Sequence, residues 1–369
     1  MIVDKKNKEM VPEAATTTTA DVSVQYTTSV SIEFSQSVFG CSTSIQATSL
    51  ISTASNYAPK LRSGSHTDIG PRSSNEDEHI SIDDLSALLG TDCGWPQPSS
   101  FYAVFDGHGG SDASSYVKNN AIKLFLQDAD LPELSDNDDK FLEDMKISHQ
   151  KAFLLADQAL ANECSVRDSC GTTALTAVVL GRHLLVANAG DSRAVLCRKG
   201  VAVPISQDHR PSYLPEQKRI EDLGGYIEYG YLNGELSVTR ALGDWYMKLP
   251  SGDLSPLTAE PDVQHVLLTE DDEFLIMGCD GIWDVMSNQE AVSLVRRQLR
   301  QYDDPQKCAV ALVDQALRLD AFDNLTAIVV FFSAPPDLRD TVCSEQPKLR
   351  CCSLSEESLN KLRSLLQGN

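Results

Sequence analysis

The stretch HLLVANAGDSRAVLCRKGVAVPIS (183–206) packs three strand-like runs into 24 residues with no room for a helix between them. HLLVANA (183–189) is an apolar run closed by glycine, and AVLCRKGVAVPIS (194–206) turns back on itself through Lys199-Gly200, a pair suited to a two-residue hairpin. AIVVFF (327–332) is a further strand. Strands that come in runs, not alternating singly with helices, favour antiparallel sheets covered by helices over a doubly wound parallel sheet. The covering helices are legible around these runs. One pattern begins at Ser111 and continues to about Leu126, and a second spans roughly 141–163, where Phe153, Leu154, Ala156 and Leu160 are expected to share a face. Pro215 opens PEQKRIEDL, which Gly224-Gly225 stops. Ser287 and Glu290 have capping-box spacing before AVSLVRRQL, and Pro305 begins an amphipathic segment through Leu317.

Outside this region the texture changes. Residues 11–60 hold 19 Ser or Thr with little periodicity, so 1–60 is expected to be a disordered extension. Residues 61–335 are expected to form the folded domain, and 336–369 a tail ending in a short amphipathic helix over 353–367. The acidic insert 128–139 reads as a solvated loop. Among 369 residues the net charge is −22, a field that repels nucleic acid and anionic membrane. No apolar run approaches the roughly 18–20 residues of a membrane span. The N-terminus lacks the apolar core of a secretory signal, and the first arginine is Arg62, unlike a transit peptide. Ten cysteines without a CxxC pair indicate a reducing compartment, cytoplasm or nucleus.

Four apolar runs share a further property: each ends on, or begins just after, an aspartate beside a turn residue. They are FYAVFDGHGG (101–110), LLVANAGDSRAVL (184–196), FLIMGCDGIWDV (274–285) and AFDNLTAIVVFF (321–332). Strand ends gather distant side chains into one rigid cluster, and clustered carboxylates repel unless cations lie between them. Asp106, Asp191, Asp280 and Asp323 together therefore point to a hard-metal site of the Mg²⁺ or Mn²⁺ type. Singly each is weak, because Asp-Gly is also the favoured pair of a tight turn, and Glu76-Asp77 alone would be a solvated charge pair.

The ordered set RSSNEDEH (72–79), FYAVFDGHGG, SCGTTA (169–174), NAGDSRAVL (188–196), LSVTRALGDW (236–245), CDGIWDVM (279–286) and FDNLTAIVV (322–330) resembles the type 2C, metal-dependent family of protein serine/threonine phosphatases. The resemblance runs from about Leu61 to Phe332. It implies an α+β fold, two packed antiparallel β-sheets flanked by helices in an α/β/β/α sandwich. It also implies hydrolysis of phosphoserine and phosphothreonine in proteins by a water activated between two Mg²⁺ or Mn²⁺ ions. By the same resemblance Asp106 bridges both metals, the Gly107 carbonyl completes one coordination sphere, and Asp280 and Asp323 hold the second. Glu76 and Asp77 act largely through waters on the metals, and Asp191 with Asp280 holds a third, weaker ion. Arg72 would fork onto the phosphate, and His108 would protonate the departing oxygen. The implied partners are phosphorylated proteins, and the family's usual monomer is expected.

The sequence departs from the family in RLDAFDN (318–324), where a glycine-containing segment is usual, so that Asp320 and Asp323 compete as ligand; the DN pair directly before the strand favours Asp323. The flap beside the active site, from Gln207 to Leu236, runs into GYIEYGYLNGELSVTRALGD (225–244), which lacks the tryptophan of abscisic-acid co-receptor phosphatases, although the texture resembles a plant member. Asp244 is read as packing structure, Arg193 and Arg240 as loop ties, and Ser169 and Thr172 as sheet packing. The alternative function is a pseudophosphatase that binds phosphoproteins without turnover. A nucleotide-binding hydrolase lacks any GxxxxGK[ST] loop.

Overall fold

The run of strands at 183–206 folds as expected, and the turn inside it carries the chain from one sheet to another. A computed structural model describes residues 57–89, 95–127, 138–248 and 255–333. The Ser/Thr-rich extension to Asn56, most of the acidic insert and the helix expected at 353–367 lie outside the described residues. In chain order the first elements are β1 (Arg62–Asp68), β2 (Glu78–Ile82), α1 (Leu85–Leu89), β3 (Ser99–Phe105), β4 (Gly107–His108), α2 (Asp112–Ile122) and α3 (Asp138–Ala161). There follow β5 (Gly171–Thr172), β6 (Ala174–Leu180), β7 (His183–Ala189), β8 (Arg193–Arg198), β9 (Val201–Pro204), α4 (Leu214–Asp222), β10 (Ile227–Glu228) and β11 (Tyr231–Leu232). The last are β12 (Leu242–Gly243), β13 (Asp262–Leu267), β14 (Asp272–Gly278), α5 (Asp280–Trp283), α6 (Asn288–Tyr302), α7 (Pro305–Arg318) and β15 (Leu325–Phe331).

Two five-stranded sheets, ordered β1-β15-β14-β8-β9 and β13-β7-β6-β3-β2, are antiparallel throughout. They pack face to face. Tyr102, Val104, Leu175 and Val186 of the second sheet share one buried cluster with Leu275, Ile276, Val329 and Val330 of the first. α6 and α7 add Val292, Val295, Leu312 and Val313 to that cluster. The alternate residues of β3, Phe101, Ala103 and Phe105, point the other way, as the period-two strand geometry demands. They meet Phe125 and Phe153 beneath α2 and α3. The α+β sandwich expected from the sequence is thus the one observed.

Local signals largely hold. The hairpin between β8 and β9 turns at Lys199 and Gly200, both at positive φ. Ser287 and Glu290 form the reciprocal capping box. α4 ends where Gly224 N and Gly225 N donate to the Glu221 and Ile220 carbonyls. One face differs from its reading: Phe153, Ala156 and Leu160 are buried, but Leu154 is 49% exposed. A step of one residue turns about 100° around a helix, so 154 leaves the face that 153 and 156 share. Among the described residues no helix is long and apolar enough to cross a membrane.

Candidate metal centre

The register of the two sheets brings the aspartates together. Glu78 pairs with Phe105, so Asp77 and Asp106 stand side by side just past the paired ends of β2 and β3. In the other sheet Gly278 pairs with both Ala327 and Arg193. Cys279-Asp280 after β14, Asp323-Asn324 before β15 and Asp191-Ser192 before β8 therefore emerge at one sheet end. The Gly190–Ser192 turn joins β7 to β8 across the two sheets and places Asp191 where both sheet ends meet.

Ligand atoms of Asp106, Asp191 and Asp280 lie within 4.8 Å of one another, and so do those of Asp77, Asp106 and Cys279. Asp106 belongs to both groups. Burial raises its carboxyl well above the ordinary range, and Asp77, Asp280, Asp191 and Asp323 push in the same direction. Burial and then Asp191, Asp323 and Asp284 raise Asp280 to about 8, with Arg210 opposing. Burial likewise raises Asp77 and Asp191 to about 6. Asp77 is 5% exposed; its Oδ2 accepts from Thr326 Oγ1 at 2.7 Å, while its buried Oδ1 has no hydrogen-bond donor. An orphaned carboxylate oxygen beside neighbours of the same sign is a site missing positive charge. Hard oxygen donors so arranged fit divalent cations of the Mg²⁺, Mn²⁺ or Ca²⁺ kind.

One cation is built in on the far side. Arg210 contacts Asp191 at 2.9 Å, Asp280 at 3.4 Å and Asp284 at 2.8 Å. Burial works against this guanidinium, but Asp191, Asp284 and Asp280 outweigh it and raise its pKa. The approach to Asp191 is braced from behind. Gly190 N donates to His209 Nδ1, leaving His209 Nε2 to donate to Asp262 at 3.1 Å. Asp262 also takes Arg240, which donates to the Glu260 carbonyl at 3.0 Å and to the buried Glu216 at 2.6 Å, itself held by Arg219 and Thr239. Burial alone would raise the Glu216 carboxyl; Arg240, Arg219 and Thr239 reverse this and hold it well below the usual range.

The rim carries the remaining expected residues. Arg72, 56% exposed, places Nη2 2.6 Å from Asp323. Glu76 accepts from Gly110 N at 3.0 Å, and its carbonyl accepts from Ser114 Oγ at 2.6 Å. At Gly107 a Cβ would lie 2.4 Å from the Glu76 carbonyl, so only glycine lets the two loops touch. His108 Nε2 is 2.7 Å from Asp244 Oδ2, and Asp244 is buried. β4, β5 and β12 form the small sheet beneath this pair. A Cβ on Gly171 would come within 2.4 Å of His108 Nε2 and 2.0 Å of Asp244 Oδ2.

All the expected side chains therefore lie at this sheet end. Asp320 does not: it is exposed, at φ 56, in the turn that closes α7. Three further residues take part. Asp244, read from the sequence as packing, is the partner of His108. Asp284 sits one helical turn after Asp280, a spacing visible in DGIWD. Arg210 has no local signal, because its partners are 19, 70 and 74 positions away. Arg193 and Arg240 are loop ties as read, Arg193 through Asp208. Thr172 is buried, but Ser169 is exposed in the turn before β5 and packs no sheet.

A family model described as protein phosphatase 2C matches residues 62–325. The chain is 56% identical over 316 residues to a protein of Oryza sativa subsp. japonica named probable protein phosphatase 2C 2, covering 85% of this chain and 83% of the relative. It is 54% identical over 335 residues to probable protein phosphatase 2C 13 of Arabidopsis thaliana, covering 89% and 86%. Among solved structures, the serine-threonine phosphatase 2C of Toxoplasma gondii superposes with a TM-score of 0.62 at 26% identity, over 75% of this chain and 97% of that one.

Proposed function

Because the chain belongs to the protein phosphatase 2C family, as a plant-type member, we propose that it hydrolyses phosphoserine and phosphothreonine in proteins with two Mg²⁺ or Mn²⁺ ions at the strand-end cluster. The observation that carries this is Asp106, half-buried and common to two clusters of possible ligand atoms, with the orphaned Asp77 oxygen on one side and Asp191 and Asp280 on the other. Asp106 would be shared by both cations, with the Gly107 carbonyl, Glu76 and Asp77 toward one and Asp280 and Asp323 toward the other. Divalent cations held there lower the pKa of water and offset charge on phosphoryl oxygens. A third cation at Asp191 and Asp280 would share those carboxylates with Arg210 and is the weakest of the three.

The protein's own groups do the rest. Arg72 presents a fork to the phosphate from the rim, held in place by Asp323 and the Phe322 carbonyl. Asp244 accepts from His108 Nε2 and orients the ring, leaving Nδ1 as the nitrogen that would hand a proton to the departing serine or threonine oxygen. His108→Ala is therefore expected to slow a phosphothreonine peptide at least tenfold more than p-nitrophenyl phosphate, whose leaving group needs little protonation. Asp244→Asn should show the same pattern more weakly. Equal losses on both substrates would remove His108 from proton transfer.

Residues 61–335 are the catalytic unit in this reading, with 1–60 and 336–369 as extensions. The five described cysteines are free, four of them buried, which supports a reducing compartment such as cytoplasm or nucleus. The direct test is phosphate release from a phosphothreonine peptide in Mn²⁺ or Mg²⁺, then in EDTA. Turnover that chelation abolishes is expected. No turnover at millimolar metal by folded protein would favour a phosphoprotein-binding module.

A further inference from the structure

A second cluster of metal-ligating side chains lies far from the aspartates. His183 opens β7, and six residues, about 20 Å of strand, separate it from Ala189 beside the metal centre. On the neighbouring β13, Leu267 pairs with His183 and His265 pairs with Leu185, so the two histidines are diagonal neighbours on adjacent strands. Strand alternation puts both on the face that Leu185, Ala187 and Val263 turn toward α3. His183 Nδ1 and His265 Nε2 are 3.1 Å apart, with 25° between the ring planes. Both residues are half-buried, so the pair is held by the sheet and still reachable from solvent.

A hydrogen bond accounts for this spacing, and so does a shared metal ion. Zinc holds imidazole nitrogen at about 2.0–2.1 Å, so nitrogens 3.1 Å apart subtend about 100° at the ion, between the octahedral and tetrahedral angles. Imidazole suits Zn²⁺, Ni²⁺ and Cu²⁺, whereas the oxygen donors of the strand-end cluster suit Mg²⁺ and Mn²⁺. Lys146 of α3 is close enough to act on His265 and opposes a bound cation, but its ammonium also faces Glu143 at 3.9 Å. Among the described residues no third histidine, cysteine, aspartate or glutamate brings a ligand atom within 4.8 Å of both nitrogens, so water completes the coordination.

The strands so joined gain from a tie. β13 is the edge of its sheet and is paired with β7 alone. Three residues before His265 it carries Asp262, the acceptor that holds His209 and Arg240. We propose that His183 and His265 form a second metal site, for one Zn²⁺ ion or another imidazole-preferring transition metal, that clamps β13 to β7. The ring that donates in the free pair shifts its proton to its other nitrogen, and the ion takes the place of that hydrogen. The site is separate from the strand-end cluster and stands whether or not the phosphatase reading holds.

The test is calorimetric titration of the full chain with Zn²⁺ at about pH 7.5, where imidazole is ordinarily neutral, in millimolar Mg²⁺. The Asp106→Asn chain, which lacks the shared charge of the strand-end cluster, is titrated beside it. One equivalent of Zn²⁺ common to both proteins is expected, with the same Kd, and in the Asp106→Asn chain it should raise Tm. Adding His265→Gln or His183→Gln should weaken that equivalent at least tenfold, since even the outer partners of a metal ligand are worth about 10–100-fold. The rise in Tm should go with it. His265→Cys supplies another zinc ligand and should keep both. Binding equally tight in the glutamine variants, or lost with Asp106→Asn alone, would overturn the proposal, because the ion would then sit on the carboxylates. Where a glutamine variant does not fold, the ring nitrogen resonances of the Asp106→Asn chain decide. Zn²⁺ should move those of His183 and His265 among the seven histidines, and unmoved rings at these two positions would overturn the site.

Discussion

Asp106→Asn is expected to lower kcat at least a thousandfold, a loss of about 4 kcal/mol of transition-state stabilisation, while the fold survives. The substitution keeps shape and volume but removes the one charge that both carboxylate groups share. It also removes the centre of their repulsion, since Asp77, Asp280, Asp191 and Asp323 all act against the ionised form of Asp106. The metal-free variant should therefore melt above the metal-free parent at pH 8, even as it loses the rise in Tm that Mn²⁺ gives the parent. A variant that kept more than about a tenth of the parent's rate would refute the shared-ligand role.

The second large effect joins pH to metal. In EDTA the folded protein holds protons on Asp280 to about pH 8, and on Asp77 and Asp191 to about pH 6. The unfolded chain releases them near an ordinary aspartate value of 3.8. Between these limits the unfolded state binds fewer protons, so stability falls as pH rises. Glu216 works the other way: its depressed pKa contributes stability that is present above about 4.5 and lost in acid. Metal-free Tm should thus peak near pH 5 and decline toward pH 8. Mn²⁺ reverses the decline, because deprotonated carboxylates bind it best. At a hundredfold excess over Kd it should restore about 2.7 kcal/mol. A Tm in EDTA that stays level or rises from pH 5 to pH 8 would contradict the cluster's electrostatics.

What was legible in the sequence was whatever is encoded within a turn or a strand. DGHGG after an apolar run, CDG after another and DN before a third marked the strand ends, and strands that come in runs, not singly between helices, indicated the antiparallel sheets that join them. Capping at Ser287 and termination at Gly224 are equally local. Arg210 was invisible because QDHRPS has no periodicity and its partners are assembled only by the sheet switch at Gly190–Ser192. Asp244 looked like packing because its significance lies in a contact with His108, 136 positions away. The choice between Asp320 and Asp323 depended on where α7 ends, and helix ends are where periodicity says least.

The order β1-β15-β14 has a consequence for synthesis. The strand between β1 and β14 is the last of the fifteen to leave the ribosome, and it brings Asp323 and the Thr326 hydroxyl that holds Asp77. Until it arrives, β1 and β14 have open edges facing each other, the condition in which nascent chains pair wrongly. For the same reason the carboxylate cluster lacks Asp323, and Asp77 its Thr326 partner, on a partial chain. In the phosphatase reading proposed above, a product terminated before Phe331 would carry the fold's open edges without the activity.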